Sequence, residues 1–315
     1  MRLCVTFLFL VISLTAERLP GHGKNVVLIA GDDEYHSEQM IPQFAKILEE
    51  RQGFHCTVLF SKNDQGEIDP HARGNIPGLN ALKKADLLIL FTRFRDLPDD
   101  QMKDFVDYVE SGKPIFGIRT ATHAFEIPPG RTYSKYSWNS REPAWEGGFG
   151  RRVLGETWIA HHGDHGKQST RGRIVAGQNA NPILRGIPDG QVWARTDVYE
   201  VRLPLPSTCT PILNGEVLTG MNETDPAVPG KLNEPMMPIA WTNTYKNARV
   251  FATTLGAAED FENEALRRLF VNAALWAVGR EAQIPPKSDV RLVGEYRPTS
   301  FLLSYREEAA HGRPH

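Results

Sequence analysis

The chain alternates short apolar runs with stretches whose apolar residues recur at helical spacing, a pattern that predicts βαβ units around a parallel sheet. Lys24 to Ala30 predicts a first buried strand. Ser37 to Arg51, with Met40, Ile41, Phe44, Ile47 and Leu48 on one stripe, predicts the helix that follows, with Ser37 as its N-cap. His55 to Phe60 predicts the second strand, Asn80 to Lys84 a short helix, and Asp86 to Phe91 the third strand. Asp99 to Glu110 places Met102, Phe105, Val106 and Val109 on one helical face and stops at Gly112, before a fourth strand over Pro114 to Ile118. Weaker strand signals cover Arg173 to Ala176, Val198 to Leu203, Met237 to Thr242 and Arg249 to Thr254, and Glu264 to Gly279 reads as a long amphipathic helix. The expected fold is one α/β domain, a three-layer, doubly wound, mostly parallel sheet over residues 24–283, with a Pro-punctuated tail over 284–315 packing on its surface.

The first sixteen residues have a different pattern. Arg2 precedes an apolar run that ends at Ala16 and gives way to Glu17 and Arg18, the layout of a secretory signal peptide, and the run is too short to span a bilayer comfortably. The expectation is export to the periplasm or the outside, with a mature chain that lacks a membrane segment. A net charge of -2 supplies neither the basic field of a nucleic-acid binder nor a polybasic membrane patch. Of three cysteines, Cys4 leaves with the signal, and Cys56 in HCTVLF reads as a buried hydrophobe rather than a partner for Cys209.

In a parallel sheet, residues just past each strand gather along the carboxyl edge, where ligands bind. Here they are polar: Asp32, Asp33, Glu34, Tyr35 and His36 after the first strand, Arg93, Phe94 and Arg95 after the third, and Arg119 to His123 after the fourth. About fifty loop-dominated residues then run to Arg173, rich in Tyr, Trp, Gly, Arg and His; such long loops are usually functional. They hold the densest ionisable cluster, His161, His162, Asp164 and His165 behind Trp158. That cluster can supply a general acid/base pair near neutral pH, or metal ligands, with His161, His162 and His165 as candidates for a divalent ion such as zinc. It can equally be a polar loop whose histidines cap backbone groups. Trp138 and Trp145 offer rings on which a sugar face can stack.

Several segments carry a resemblance: DDEYHSEQMIPQFAKIL, ADLLILFTRFRDLPDDQMKDFVDYVESGKPIFGIRTATHAF, GGFG followed by HHGDH, NPILRGIP, DVYEV, and PIAWTNTYKNARVFATTLGAAEDFENEALRRLFVNAALWAVG. Across Asn25 to Gly279 the chain resembles the trehalose-utilisation (ThuA-like) family, which implies a flavodoxin-like sheet of the class I glutamine amidotransferase type. In amidotransferases the turn after the fourth strand carries a nucleophilic cysteine within G-x-C-x-G; here Gly117-Ile118-Arg119-Thr120-Ala121 puts Arg119 in its place. A protonated guanidinium cannot serve as a nucleophile, so no glutaminase activity is expected. Where the family often has Gly-His, this chain has Gly256-Ala257 with Glu259 and Asp260 beyond, and Asn181-Pro182 stands where His-Pro is common.

The resemblance implies a carbohydrate ligand, of trehalose-like or keto-sugar type. One reading is an isomerase, lyase or hydrolase using acid/base chemistry, with His162, His165, Asp164, Arg119 and His36 catalytic and Asp33, Arg93, His123, Trp138, Trp145 and Glu259 holding substrate. The others are a carbohydrate-binding module without turnover and a metal-dependent hydrolase. Small-molecule carbohydrate and a second copy of the chain are the expected partners.

Overall fold

The computed structural model describes residues 18–303, so the segment read as a signal peptide and the last twelve residues lie outside the described part. Five strands lie side by side in parallel: β2 (His55–Phe60), β1 (Asn25–Gly31), β3 (Leu87–Thr92), β4 (Ile115–Ile118) and β9 (Ala248–Thr253). Beyond β9 the same sheet continues with antiparallel pairings, through β8 (Met237–Tyr245), β7 (Thr210–Val217), β5 (Thr170–Ile174) and β6 (Trp193–Ala194).

Alternation along each parallel strand feeds two cores. Val26, Leu28, Ala30, Leu87, Ile89, Phe91, Phe116 and Ile118 point to the face covered by helices α1 (Ser37–Gln52) and α3 (Glu264–Ala277). Val27, Ile29, Leu88, Leu90 and Ile115 point to the other, covered by α2 (Asp99–Glu110). Strands buried on both faces read as continuous apolar runs, which is why these were visible in sequence.

Helix α1 begins where expected but by a different device. His36, not Ser37, is the capping position, held left-handed at φ 56°, while the Ser37 hydroxyl accepts from the Asp32 backbone N–H at 2.9 Å. The periodicity missed β7, because Pro211 and Gly215 interrupt it. Gly215 is required by packing, since a Cβ there would lie 2.6 Å from Ile239 and 2.8 Å from Val198. Conversely, Val198 to Leu203 does not join the sheet; it pairs only through an isolated bridge between Tyr199 and His161. Cys56 and Cys209 are free thiols.

The tail is more deeply seated than its composition suggests. Ile284, Val290 and Phe301 are buried, and Tyr296 donates its hydroxyl to the Ala258 carbonyl at 2.7 Å. Among the described residues no helix is long and apolar enough to cross a membrane.

Candidate functional site

The three strand ends do converge. After β1, Asp32 is fully buried: its carboxylate accepts from the Glu34 backbone N–H at 3.1 Å, from that of Tyr35, and from the Thr120 hydroxyl at 2.8 Å. Burial, with Asp33 and Glu34 beside it, pushes this carboxyl up to about 7. The linkage has a definite sign: a folded-state value above the unfolded one means that the folded state holds the proton longer. Its stabilising contribution is therefore full below about pH 4 and lost as pH rises toward 7. We expect Asp32→Asn to flatten the fall in Tm between pH 4 and 7 relative to the parent; parallel melting curves for the two proteins would contradict this.

Asp33 turns to the arginines. It receives Arg93 at 3.0 Å, with Arg95 at 3.7 Å, and although burial opposes its charge, those guanidinium groups hold its carboxyl below the ordinary value. Glu34 takes the other side of Arg93 at 3.2 Å. Arg95 itself is wholly enclosed, donating to carbonyls of Arg93, Pro70 and Ala72. Arg93 thus carries the cationic face and Arg95 the scaffold beneath it.

The elbow-like turn after β4 is strained, with Arg119 held at φ 41°. Its guanidinium does not reach a ligand. It lies between the rings of Tyr35 and Tyr199, 4.1 and 4.2 Å from their centroids, and donates to Asp197 at 3.1 Å and to the Thr254 carbonyl at 2.6 Å. Both Arg119 and Asp197 are fully buried.

Asp197 organises the histidine cluster. His161 and His165 each present Nδ1 to it, at 2.7 and 2.8 Å, one on each carboxylate oxygen. Burial works against the Asp197 charge, but the two histidines and Arg119 hold its carboxyl well below the usual carboxylate range. A carboxylate that only accepts puts the proton of each imidazole on Nδ1 and leaves Nε2 as the working nitrogen. The Nε2 of His165 faces Glu34 at 3.5 Å. The segment carrying Asp197 also pins the histidine loop, since His162 and Glu200 exchange backbone bonds with Val198 and Ala160.

Glu34, Arg93, Phe94, His123, Trp158, His161 and Tyr199 line a cavity at this edge of about 20 Å³, room for little more than one water molecule. His123 is buried, and that burial, together with Arg93, Arg119 and His161, pushes its imidazole far below the ordinary range, so it is neutral at pH 7. Trp158 closes the outer side, with ring centroids 5.5 Å from His123 and 6.0 Å from His161. Trp138 backs it from 5.9 Å.

Of the residues singled out from sequence, Arg93, His123 and His161 line this cavity, His165 adjoins it through Glu34, and Asp33 braces Arg93. The others are placed elsewhere. His162 turns away and its Nε2 bonds the Leu232 carbonyl at 2.8 Å. Asp164 is exposed and pairs with Lys167 at 3.0 Å. Trp145 stacks on Tyr136 at 4.5 Å, pinning the long loop. Glu259 holds the tail through Ser300 at 2.7 Å, and Asp260 accepts from Thr196, Gly256 and Ala257. Asn181 caps the turn at Pro182–Leu184 through the Ile183 N–H. His36 sits beside Glu38 at 3.2 Å, and although burial lowers its basicity, that carboxylate raises it overall. Sequence reasoning missed the roles of Asp197, Tyr199 and Glu34; the polar first and central positions of DVYEV, in an apolar frame, were the available signal.

A metal was the other use foreseen for the cluster. The structure groups His161, His165 and Asp197, with one donor atom from each within 4.8 Å of the others, and not His162. Their N···O separations of 2.7 and 2.8 Å are hydrogen bonds, and an ion on Asp197 would sit against the buried guanidinium of Arg119. The arrangement as it stands holds protons and does not fit an ion among these three groups.

Fold and site together define an α/β protein with a small polar pocket at the carboxyl edge of a parallel sheet, built on an elbow that carries no nucleophile. The trehalose-utilisation family, ThuA, matches residues 25–277, and the chain belongs to that family. A ThuA-like protein from Parabacteroides merdae superposes with a TM-score of 0.52 at 16% identity, covering 88% of this chain and 96% of its own. One from Bacteroides uniformis gives 0.52 at 16% identity, over 87% and 98%. At that identity the likeness shows the fold alone. No protein of curated function matches the chain.

Proposed function

We propose that the protein is an exported enzyme of carbohydrate utilisation that moves a proton on a keto-sugar or related derivative, on a flavodoxin-like, amidotransferase-type three-layer fold. The observation that carries this reading is the pair His161–Asp197: an imidazole at a pocket wall, its Nδ1 fixed by a buried carboxylate. The family's link to trehalose use supports the sugar context.

In this mechanism the Nε2 of His161 accepts a proton from the carbon next to the substrate carbonyl. Asp197 stabilises the imidazolium that forms, as an orienting carboxylate does for a general base. Arg93, held by Asp33 and Glu34, and the neutral His123 stabilise the negative charge that develops on the carbonyl oxygen. Return of the proton to the former carbonyl carbon, with the neighbouring hydroxyl proton passing to the former carbonyl oxygen, gives isomerisation; its delivery to a leaving oxygen on the next carbon, as that C–O bond breaks and the double bond forms, gives elimination. The cavity is too small for a sugar ring, so the ring enters where Trp158 stands, and the indole swings aside to stack on it. Trp158→Ala should then weaken sugar binding about tenfold, the worth of one aromatic contact, as read by calorimetry; unchanged affinity would count against the stacking role.

The test is a panel of keto-disaccharides and keto-glucosides, with solvent-deuterium incorporation read by NMR beside product formation. Exchange or turnover that is lost in His161→Ala supports the reading. A folded protein that binds these sugars and exchanges no proton would instead be a binding module. Elemental analysis, with melting before and after chelation, tests the metal alternative, and no response to chelator is expected.

A further inference from the structure

We propose that the tail segment 296–301, outside the family-matched region, backs the ligand site from behind His165 and that Phe301 is a positioning residue for His165. Phe301 is fully buried, although it lies near the end of a Pro-punctuated tail and 24 residues past the matched segment. Its ring centroid is 5.3 Å from that of His165 and 5.5 Å from that of Tyr35, whose hydroxyl accepts from Arg119. Opposite it, the His165 ring meets His161 at 4.4 Å. His165 is therefore sandwiched between Phe301 and the candidate base, with Asp197 at Nδ1 and Glu34 toward Nε2.

The segment is fastened at four points, two at the start of α1 and two in the turn after β9. Glu259 accepts from the Ser300 hydroxyl at 2.7 Å and the Phe301 N–H at 3.1 Å, and His36 bonds a backbone group of Ser300. Gln39 exchanges two bonds with Thr299, at 2.8 and 3.0 Å, and Tyr296 reaches the Ala258 carbonyl. Side chains from both sheet edge and α1 thus spend polar groups on holding a short tail in one place. The residue so held joins the apolar core on the α1 side and presents its ring to Tyr35 and His165. The consequence is a dry face on His165: without the ring, water reaches the Asp197–His165–Glu34 chain and the imidazole gains room to turn.

This inference rests on the proposed site, but its primary readout does not depend on turnover. Long-range proton–nitrogen spectra of the full-length protein should show His165 fixed as the Nδ1–H tautomer. In Phe301→Ala that pattern should give way to averaged or exchange-broadened signals, while His162, bonded to Leu232, stays unchanged. Phe301→Leu, which keeps most of the bulk, should show the same change in smaller degree if Phe301→Ala fails to fold, and Phe301→Tyr should restore the parent pattern. If the sugar reaction exists, Phe301→Ala should lower kcat more than it raises KM. A parent-like His165 spectrum in folded Phe301→Ala, or in Phe301→Leu where the alanine variant does not fold, overturns the proposal. A released tautomer with no sugar turned over keeps it and sinks the enzyme reading alone.

Discussion

His161→Ala should lower turnover of a keto-sugar substrate by about 10²- to 10⁴-fold, the usual share of a positioned general base, with binding changed severalfold at most. His162→Ala should leave turnover within a small factor of the parent. The contrast is informative because the two residues are adjacent and the sequence alone favoured His162 as the catalytic one. His161 presents Nδ1 to Asp197 and lines the pocket, whereas His162 spends Nε2 on the Leu232 carbonyl. Single-turnover kinetics on both variants decide the matter. Equal losses, or a loss confined to His162→Ala, would remove His161 from its role.

Asp197→Ala should destabilise the fold by about 3–5 kcal/mol, because it strands the charge of Arg119 in a fully buried place. In a domain of this size that corresponds to a drop in Tm on the order of 10 °C. Arg119→Met should cost less, since it removes a charge whose carboxylate partner keeps His161 and His165, and the thioether chain can lie between Tyr35 and Tyr199. The order of the two melting temperatures is the test. If Arg119→Met were the more damaging, the guanidinium would be holding more than Asp197, and the Tyr35–Tyr199 sandwich would be the first place to look. Neither variant is expected to gain glutaminase activity, since the elbow lacks a thiol in both.

This site inverts the usual relation between an elbow residue and its ligand. Where an amidotransferase-type elbow presents its side chain to substrate, this one directs it inward, and the strained φ at Arg119 serves to seat a cation under the histidine pair. The histidine proposed as the base comes instead from the long loop after β4, held down by Val198 and Glu200 from another part of the chain. With an arginine at this turn, the edge has polar groups bonded mainly to one another and a small cavity among them.

Much of this was legible in the order of residues. Strands β1, β3 and β4 and helices α1 and α2 were, because strands buried on both faces must be apolar throughout and helices covering them must be apolar at helical spacing. That chemistry would gather at the carboxyl ends followed from parallel topology alone, and Arg93 and His123 were found that way, while His161 was noticed only as one member of the dense ionisable cluster in the long loop. The antiparallel half was harder to see: β7 depends on Gly215 giving room to Ile239 and Val198, a contact between residues far apart in the chain. Which of two neighbouring histidines faces the cavity, that Arg119 is enclosed, that Asp197 ties the cluster, and that a tail phenylalanine packs on His165 were decided only in three dimensions. Periodicity reports which residues are buried. The direction of a polar side chain depends on the partner it finds, and here those partners come from segments tens of residues away.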